Sequence, residues 1–140
     1  MKSTPFNEQT DLAPTPFDAE LCQLAKQLKG AGLSWQPHVG CFVWDEAQVI
    51  EVSSPFPGRI YFILNLGHFL KRYGTVQDIA AQLVWLPTWH QARLLAQQIG
   101  IAPSQVKEAL AGHDFGDPGS ELSVLYRLIL DHLKNRSPKP

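Results

Sequence analysis

Thr75 to Gly112 reads TVQDIAAQLVWLPTWHQARLLAQQIGIAPSQVKEALAG, and its punctuation decides the fold class. Thr75 opens the stretch as a helix cap, with Asp78 three residues on in the place a capping box reserves for an acid or amide. Ile79, Leu83 and Leu86 follow at helical spacing, which predicts a helix from Thr75 to about Leu86. Pro87 ends it, because a proline inside a helix removes a hydrogen bond and clashes with the preceding turn. Thr88 caps a second helix through Leu94, Leu95 and Ile99 to Gly100. Pro103 opens a third, which closes at Gly112. Three short helices in succession mark a mainly α-helical chain.

The flanks extend the same pattern. Thr15 as cap and Pro16 at the first helical position predict a helix carrying Phe17, Leu21, Leu24, Ala25 and Leu28 on one face. Val39, Cys41 and Val43 alternate with Phe42 and Trp44, the clearest strand signal in the chain. Asp45–Gln48 reads as a turn and Val49–Val52 as the returning strand of a hairpin. Such a pair is marginal alone in water and needs helices to pack on. The loop 53–58 leads to a bulky helix, about Arg59 to Tyr73, apolar on most sides and therefore central. Lys71 and Arg72 suit the dipole in its last turn. Asp117–Pro118 opens a final helix to about Lys134, with Leu122, Leu125, Tyr126, Ile129 and Leu133 as its buried stripe. The expected architecture is α+β: about six helices and one small β-hairpin in a single domain spanning 16–134. Residues 1–15 read as a flexible arm and 135–140 as a disordered tail.

Composition removes several classes. At 140 residues and 44% hydrophobic content the chain can bury a core, which argues against global disorder. Its formal net charge of −1 gives no overall pull toward nucleic acid or an anionic membrane. Residues 1–57 carry three Lys/Arg against seven Asp/Glu, a balance of −4, and residues 58–140 carry nine against six, a balance of +3. No secretory signal is visible at the start, and the most apolar run, Ile60 to Leu70, is too short to span a membrane. Cys22 and Cys41 form no metal or redox motif, and two free thiols are the simplest account. The five histidines show no zinc-site spacing, so no metal or other cofactor is expected. His38 and Cys41 lie three apart on a strand and would face opposite ways, so they make no nucleophile–base pair. No catalytic residue is therefore assigned.

Leu95 to Gly112, LAQQIGIAPSQVKEALAG, resembles the helix-turn-helix of bacterial repressors over 18 residues. Ala96 is the small residue that lets the helices approach, Gly100 supplies the turn, and Leu95, Ile99, Ile101, Val106 and Leu110 are the apolar lock. On that resemblance Ser104, Gln105 and Lys107 would face DNA, with Gln105 on an adenine edge and the other two near phosphates. The local charge argues against it. Between Thr75 and Asp114 stand two cations, Arg93 and Lys107, against three acids, and phosphate neutralisation supplies most DNA affinity.

The most unusual composition is Trp85-Leu86-Pro87-Thr88-Trp89-His90. Tryptophan is enriched at interaction hot spots, so Trp85, Trp89 and His90 are the candidate partner-binding residues. GRIYFILNLGHFLKRYG (58–74) and LVWLPTWHQARLL (83–95) resemble an uncharacterised family of small soluble cyanobacterial proteins, over roughly residues 20–112. That resemblance implies a cytoplasmic location and a role near photosynthetic or carbon metabolism, and no activity or site. The leading expectation is a non-enzymatic interaction or regulatory module with a protein partner. The alternative is a DNA-binding regulator, acting as a homodimer. The third is a small-molecule binder or hydrolase with a pocket between hairpin and helices.

Overall fold

In the computed structural model, residues 5–136 are described. Six helices surround a three-stranded antiparallel sheet, in agreement with the α+β expectation. The helices are α1 (Ala19–Gly30), α2 (Leu66–Tyr73), α3 (Val76–Gln82), α4 (Trp89–Gln98), α5 (Pro103–Ala111) and α6 (Ser120–Asn135). The strands are β1 (Phe42–Trp44), β2 (Ile60–Phe62) and β3 (Val84–Leu86), in the spatial order β2-β1-β3.

The strand partners differ from the hairpin read in the sequence. Val49–Val52 forms no strand. Instead β1 pairs with β2, Val43 opposite Tyr61, and on its other side with β3, Val43 opposite Trp85. Two predicted helices each give up a segment to make this sheet. The one expected from Arg59 begins only at Leu66, because Ile60-Tyr61-Phe62 are β-branched and aromatic residues that fit a pleated, buried surface. The one expected to reach Leu86 stops at Gln82, with Leu83 already extended at φ −105°, ψ 153°. Pro87 biases its predecessor toward extended backbone, and pairing with β1 buries Val84 and Leu86 at 4% and 0% exposure.

The sheet separates two apolar clusters. On one face Ile60, Val84 and Leu86 meet α1, α4 and α6, with Phe42 packed against Phe17, Phe56 and Phe62 at ring distances of 5.3, 5.4 and 4.8 Å. On the other, Val43 and Tyr61 join Cys41, Ile63, Tyr73, Ile79 and Leu83 beneath α2 and α3. Phe17 is buried ahead of the helix, and Asp18 is extended at φ −87°, ψ −177°. Helix α1 therefore starts at Ala19 under Asp18, whose carboxylate accepts from Leu21 N at 2.9 Å, rather than at Thr15–Pro16. The expected alternation holds for Cys41 and Val43 but not for Val39, which is 56% exposed. Gly40, at φ +106°, turns the chain between them.

Other local expectations survive in detail. Thr88 and Gln91 form a reciprocal capping box at 3.1 and 3.0 Å. Thr75 accepts from Asp78 N at 3.1 Å, while its hydroxyl donates to the Asp78 carboxylate. The last carbonyls of the α3 region are met by Lys29 Nζ, 2.5 Å from Ala81 O and 3.2 Å from Leu83 O, which ties α1 to that end of α3. Residues 5–15 lie outside any helix or strand and Asn135 closes α6, while Met1–Thr4 and Ser137–Pro140, the outer parts of the expected arm and tail, fall outside the described residues. No helix among the described residues is long and apolar enough to cross a membrane.

Candidate functional site

The tryptophan-rich junction places Trp85 apart from Trp89 and His90. Trp85 is the middle residue of β3 and half buried, with its ring stacked on Trp35 at 5.7 Å and only 10° between planes. Trp89 is the first residue of α4 and 37% exposed. It borders a separate cleft of about 300 Å³ together with Pro14, Pro16, Phe17 and Glu121. His90 is exposed on the same first turn. Strand alternation and the bend at Pro87 separate what looked continuous in sequence.

The Trp35–Trp85 stack forms part of an open cleft of about 870 Å³. Its other side is α4, from which Gln91, Leu94, Leu95 and Gln98 line it at i, i+3, i+4 and i+7. This spacing puts all four on one stripe of the helix. Leu94, on this stripe, is 53% exposed. The rim is held to the helix by Gln91 Nε2, which donates to Gly40 O at 3.3 Å. Both indole N–H groups, of Trp35 and of Trp85, are buried without a hydrogen-bond partner. An unmet buried donor costs about 1–3 kcal/mol, so this stack carries unused hydrogen-bonding capacity. Trp35 was not a sequence candidate. It is separated from Trp85 by 50 positions in the chain, and its only local signal was an aromatic residue in a Gly-Leu-Ser-Trp-Gln-Pro loop.

The segment compared with a helix-turn-helix comprises α4, a turn at Gly100 (φ +97°) and α5. Leu95, Ala96, Ile101 and Val106 are buried, and Ile101 N donates to Ala96 O at 2.8 Å. Ser104, Gln105 and Lys107 are all exposed. Gln105, however, is engaged in the helix start, where Oε1 accepts from Ala102 N at 2.7 Å. A side chain occupied in capping would have to release that bond to read a base edge.

A buried charge is the feature that sequence reasoning passed over. Asp45, taken as a turn residue, is 0% exposed. Its carboxylate accepts from Val49 N at 3.1 Å and Ile50 N at 2.8 Å, and from the Arg59 guanidinium. Arg59 also donates to Ile50 O at 2.6 Å, Tyr61 Oη to Val52 O at 2.6 Å, and Arg72 to Val49 O at 3.0 Å. Burial alone pushes the Asp45 carboxyl up. The Ile50 N–H, Arg59 and the Val49 N–H outweigh it and hold the group below its ordinary value. These bonds keep residues 49–52 off the sheet edge. With both edges of β1 already taken by β2 and β3, residues 49–52 have no place beside it, and the expected hairpin does not form.

Two nucleophile arrangements can be judged by geometry. Cys41 is fully buried, burial pushes its thiol up, and His38 Nδ1 lies 2.8 Å from Val39 O rather than facing it. Ser120 Oγ is 2.8 Å from His113 Nε2, but its own hydrogen goes to Asp117 O at 2.6 Å. The histidine nitrogen therefore donates to the serine instead of drawing its proton, and the pair ties the loop before α6 to the helix. Among the described residues no three His, Cys, Asp or Glu side chains gather as a metal ion would need. No known protein family, curated protein or solved structure matches the chain.

Proposed function

We propose that this protein is an interaction module rather than an enzyme, and that its docking face is the cleft where Trp35 and Trp85 stack against α4. The observation that carries the reading is the pair of indole N–H groups left without partners in the cleft that the exposed Leu94 also lines. Apolar anchors next to unmet donors fit a protein segment that brings both a side chain and backbone carbonyls. Small readjustment of the indoles on docking would let those carbonyls accept. Trp89 and His90, on the first turn of α4 away from this cleft, serve as the comparison surface.

Leu94→Arg tests the proposal. Leu94 is 53% exposed on one turn of α4, so the charge is accommodated in solvent and the fold is retained. The expected outcome is an unchanged thermal midpoint with loss of the proteins that the wild-type chain retains in affinity capture. Trp89→Ala should retain them. If the Leu94→Arg protein retains the same set, the cleft is not the docking face.

A further inference from the structure

A second, smaller cleft adjoins the Asp45 network through Ile50. It occupies about 310 Å³ between residues 50–53 and α2, with Tyr61 on its floor. Ile50, Phe69 and Tyr73 give it an apolar lining, Val52 stands 75% exposed at its rim, and Ser53 and His68 add polar groups. Its size is at the lower end of small-molecule sites, about 300 Å³ upward. The loop wall is not slack: Asp45, Arg59, Tyr61 and Arg72 each hold its backbone. Tyr73, 8% exposed, is buried against the same cluster and its hydroxyl lacks a partner.

The charges at this cleft are complementary and separate. Glu51 lines one side and Arg72 the other. Neither is ion-paired: the salt bridges among the described residues join Lys26 to Glu46, Arg59 to Asp45 and Arg127 to Glu20. Arg72 Nη2 donates to Val49 O, which orients the guanidinium over the loop and leaves its other N–H groups without protein acceptors among the described residues. A cleft with an apolar interior, an unpaired cation on one lip and an unpaired anion on the other complements a zwitterion with an apolar side chain. We propose that it binds a small apolar α-amino acid. Arg72 would take the carboxylate, Glu51 the ammonium, and the apolar lining the side chain. Arg is suited to the first role because its planar fork matches a carboxylate. This site is independent of the tryptophan cleft and of the reading given to it.

The test is a titration of the full chain with L-phenylalanine and L-leucine, followed by amide chemical shifts. Phenylacetate and phenethylamine, which each lack one of the two charges, are run beside them. The expected result is saturable shifts confined to residues 50–53, 61–62 and 66–73. Each single-charge analogue should bind about three- to tenfold more weakly. Glu51→Gln is the decisive variant. Glu51 is exposed and makes no hydrogen bond among the described residues, so the thermal midpoint should not move. It should weaken phenylalanine by a similar factor and leave phenylacetate unchanged. Absence of saturable shifts with both amino acids overturns the proposal. So does phenylacetate binding as tightly as phenylalanine, or Glu51→Gln leaving the amino-acid affinity unaltered.

Discussion

Asp45→Asn should be among the most damaging near-isosteric substitutions in this chain, and its cost can be worked from the contacts. The aspartate is 0% exposed and receives two backbone N–H bonds, at 3.1 and 2.8 Å, besides the guanidinium of Arg59. An asparagine has one acceptor oxygen and one NH₂ group. Whichever way the amide turns, its donors face another donor, so at least one of the three incoming groups loses its partner. Hydrogen bonds to a charged group contribute about 1.5–3 kcal/mol each, and breaking one side of a buried ion pair costs about 3–5 kcal/mol. The Arg59 side chain is 35% exposed, and water takes up part of its charge once the aspartate is gone. A net loss of about 2–4 kcal/mol follows. For a chain of this size that lowers the thermal midpoint by roughly 6–16 °C. Urea unfolding and thermal melts measure it, and hydrogen exchange at the Val49 and Ile50 amides locates it.

The pH dependence supplies a second, independent reading. Although burial pushes the folded carboxyl up, the Ile50 N–H, Arg59 and the Val49 N–H hold it below its ordinary value. Its contribution is therefore present above the unfolded value, near 3.8, and is lost as the pH falls through the lower folded value. The gap between wild type and Asp45→Asn should be constant from neutral pH to about pH 5 and narrow below about pH 4. A midpoint within about 2 °C of wild type at pH 7, or a gap unchanged at pH 3, would refute the account of the 45–59 loop.

Two further outcomes check the core. Tyr126 is 0% exposed and its hydroxyl donates to Pro87 O at 2.5 Å, joining α6 to the β3–α4 junction. Tyr126→Phe should cost about 1–2 kcal/mol in urea unfolding by stranding that carbonyl, and a neutral result would mean the carbonyl finds another donor. Cys22 and Cys41 are buried in different clusters, and the Cys22 thiol is pushed up to about 12 by burial and by Asp18. In a thiol assay at pH 8 the native protein should react far more slowly than the unfolded one, which should show two thiols without reductant. Fast native labelling of Cys22 would contradict its burial.

Signals that act within a few residues were legible in the sequence. The Thr88 cap, the Gly100 turn, Pro103 at the start of α5 and the apolar stripe of α6 each depend on neighbours one or two turns away, and each stands where it was read. Tertiary contacts decided the rest. Ile60–Leu64 is apolar without a clear period, and such a run is read as helix or strand only when its partner is known. That partner is Phe42–Trp44, some 18 residues away between Val43 and Tyr61. Val84-Trp85-Leu86 before a proline carried a strand signal of its own, but a helical stripe of Ile79, Leu83 and Leu86 competed with it, and burial against β1 decided between them.

The candidate sites followed the same division. Chain proximity grouped Trp85, Trp89 and His90, whereas folding grouped Trp85 with Trp35 and set Glu51 across a cleft from Arg72. The sequence by itself determined the mainly helical class, the Thr75 and Thr88 caps and the identity of much of the core, because those follow from local backbone preference and amphipathic spacing. The starts read at Thr15 and Asp117–Pro118 moved to caps at Asp18 and Gly119. Only the tertiary structure decided which strands pair, which charge is buried and which faces stay open. The strand pairing follows from burial against β1, and the buried charge from the balance between desolvation and hydrogen bonding at Asp45, both set by groups that meet only in the folded chain.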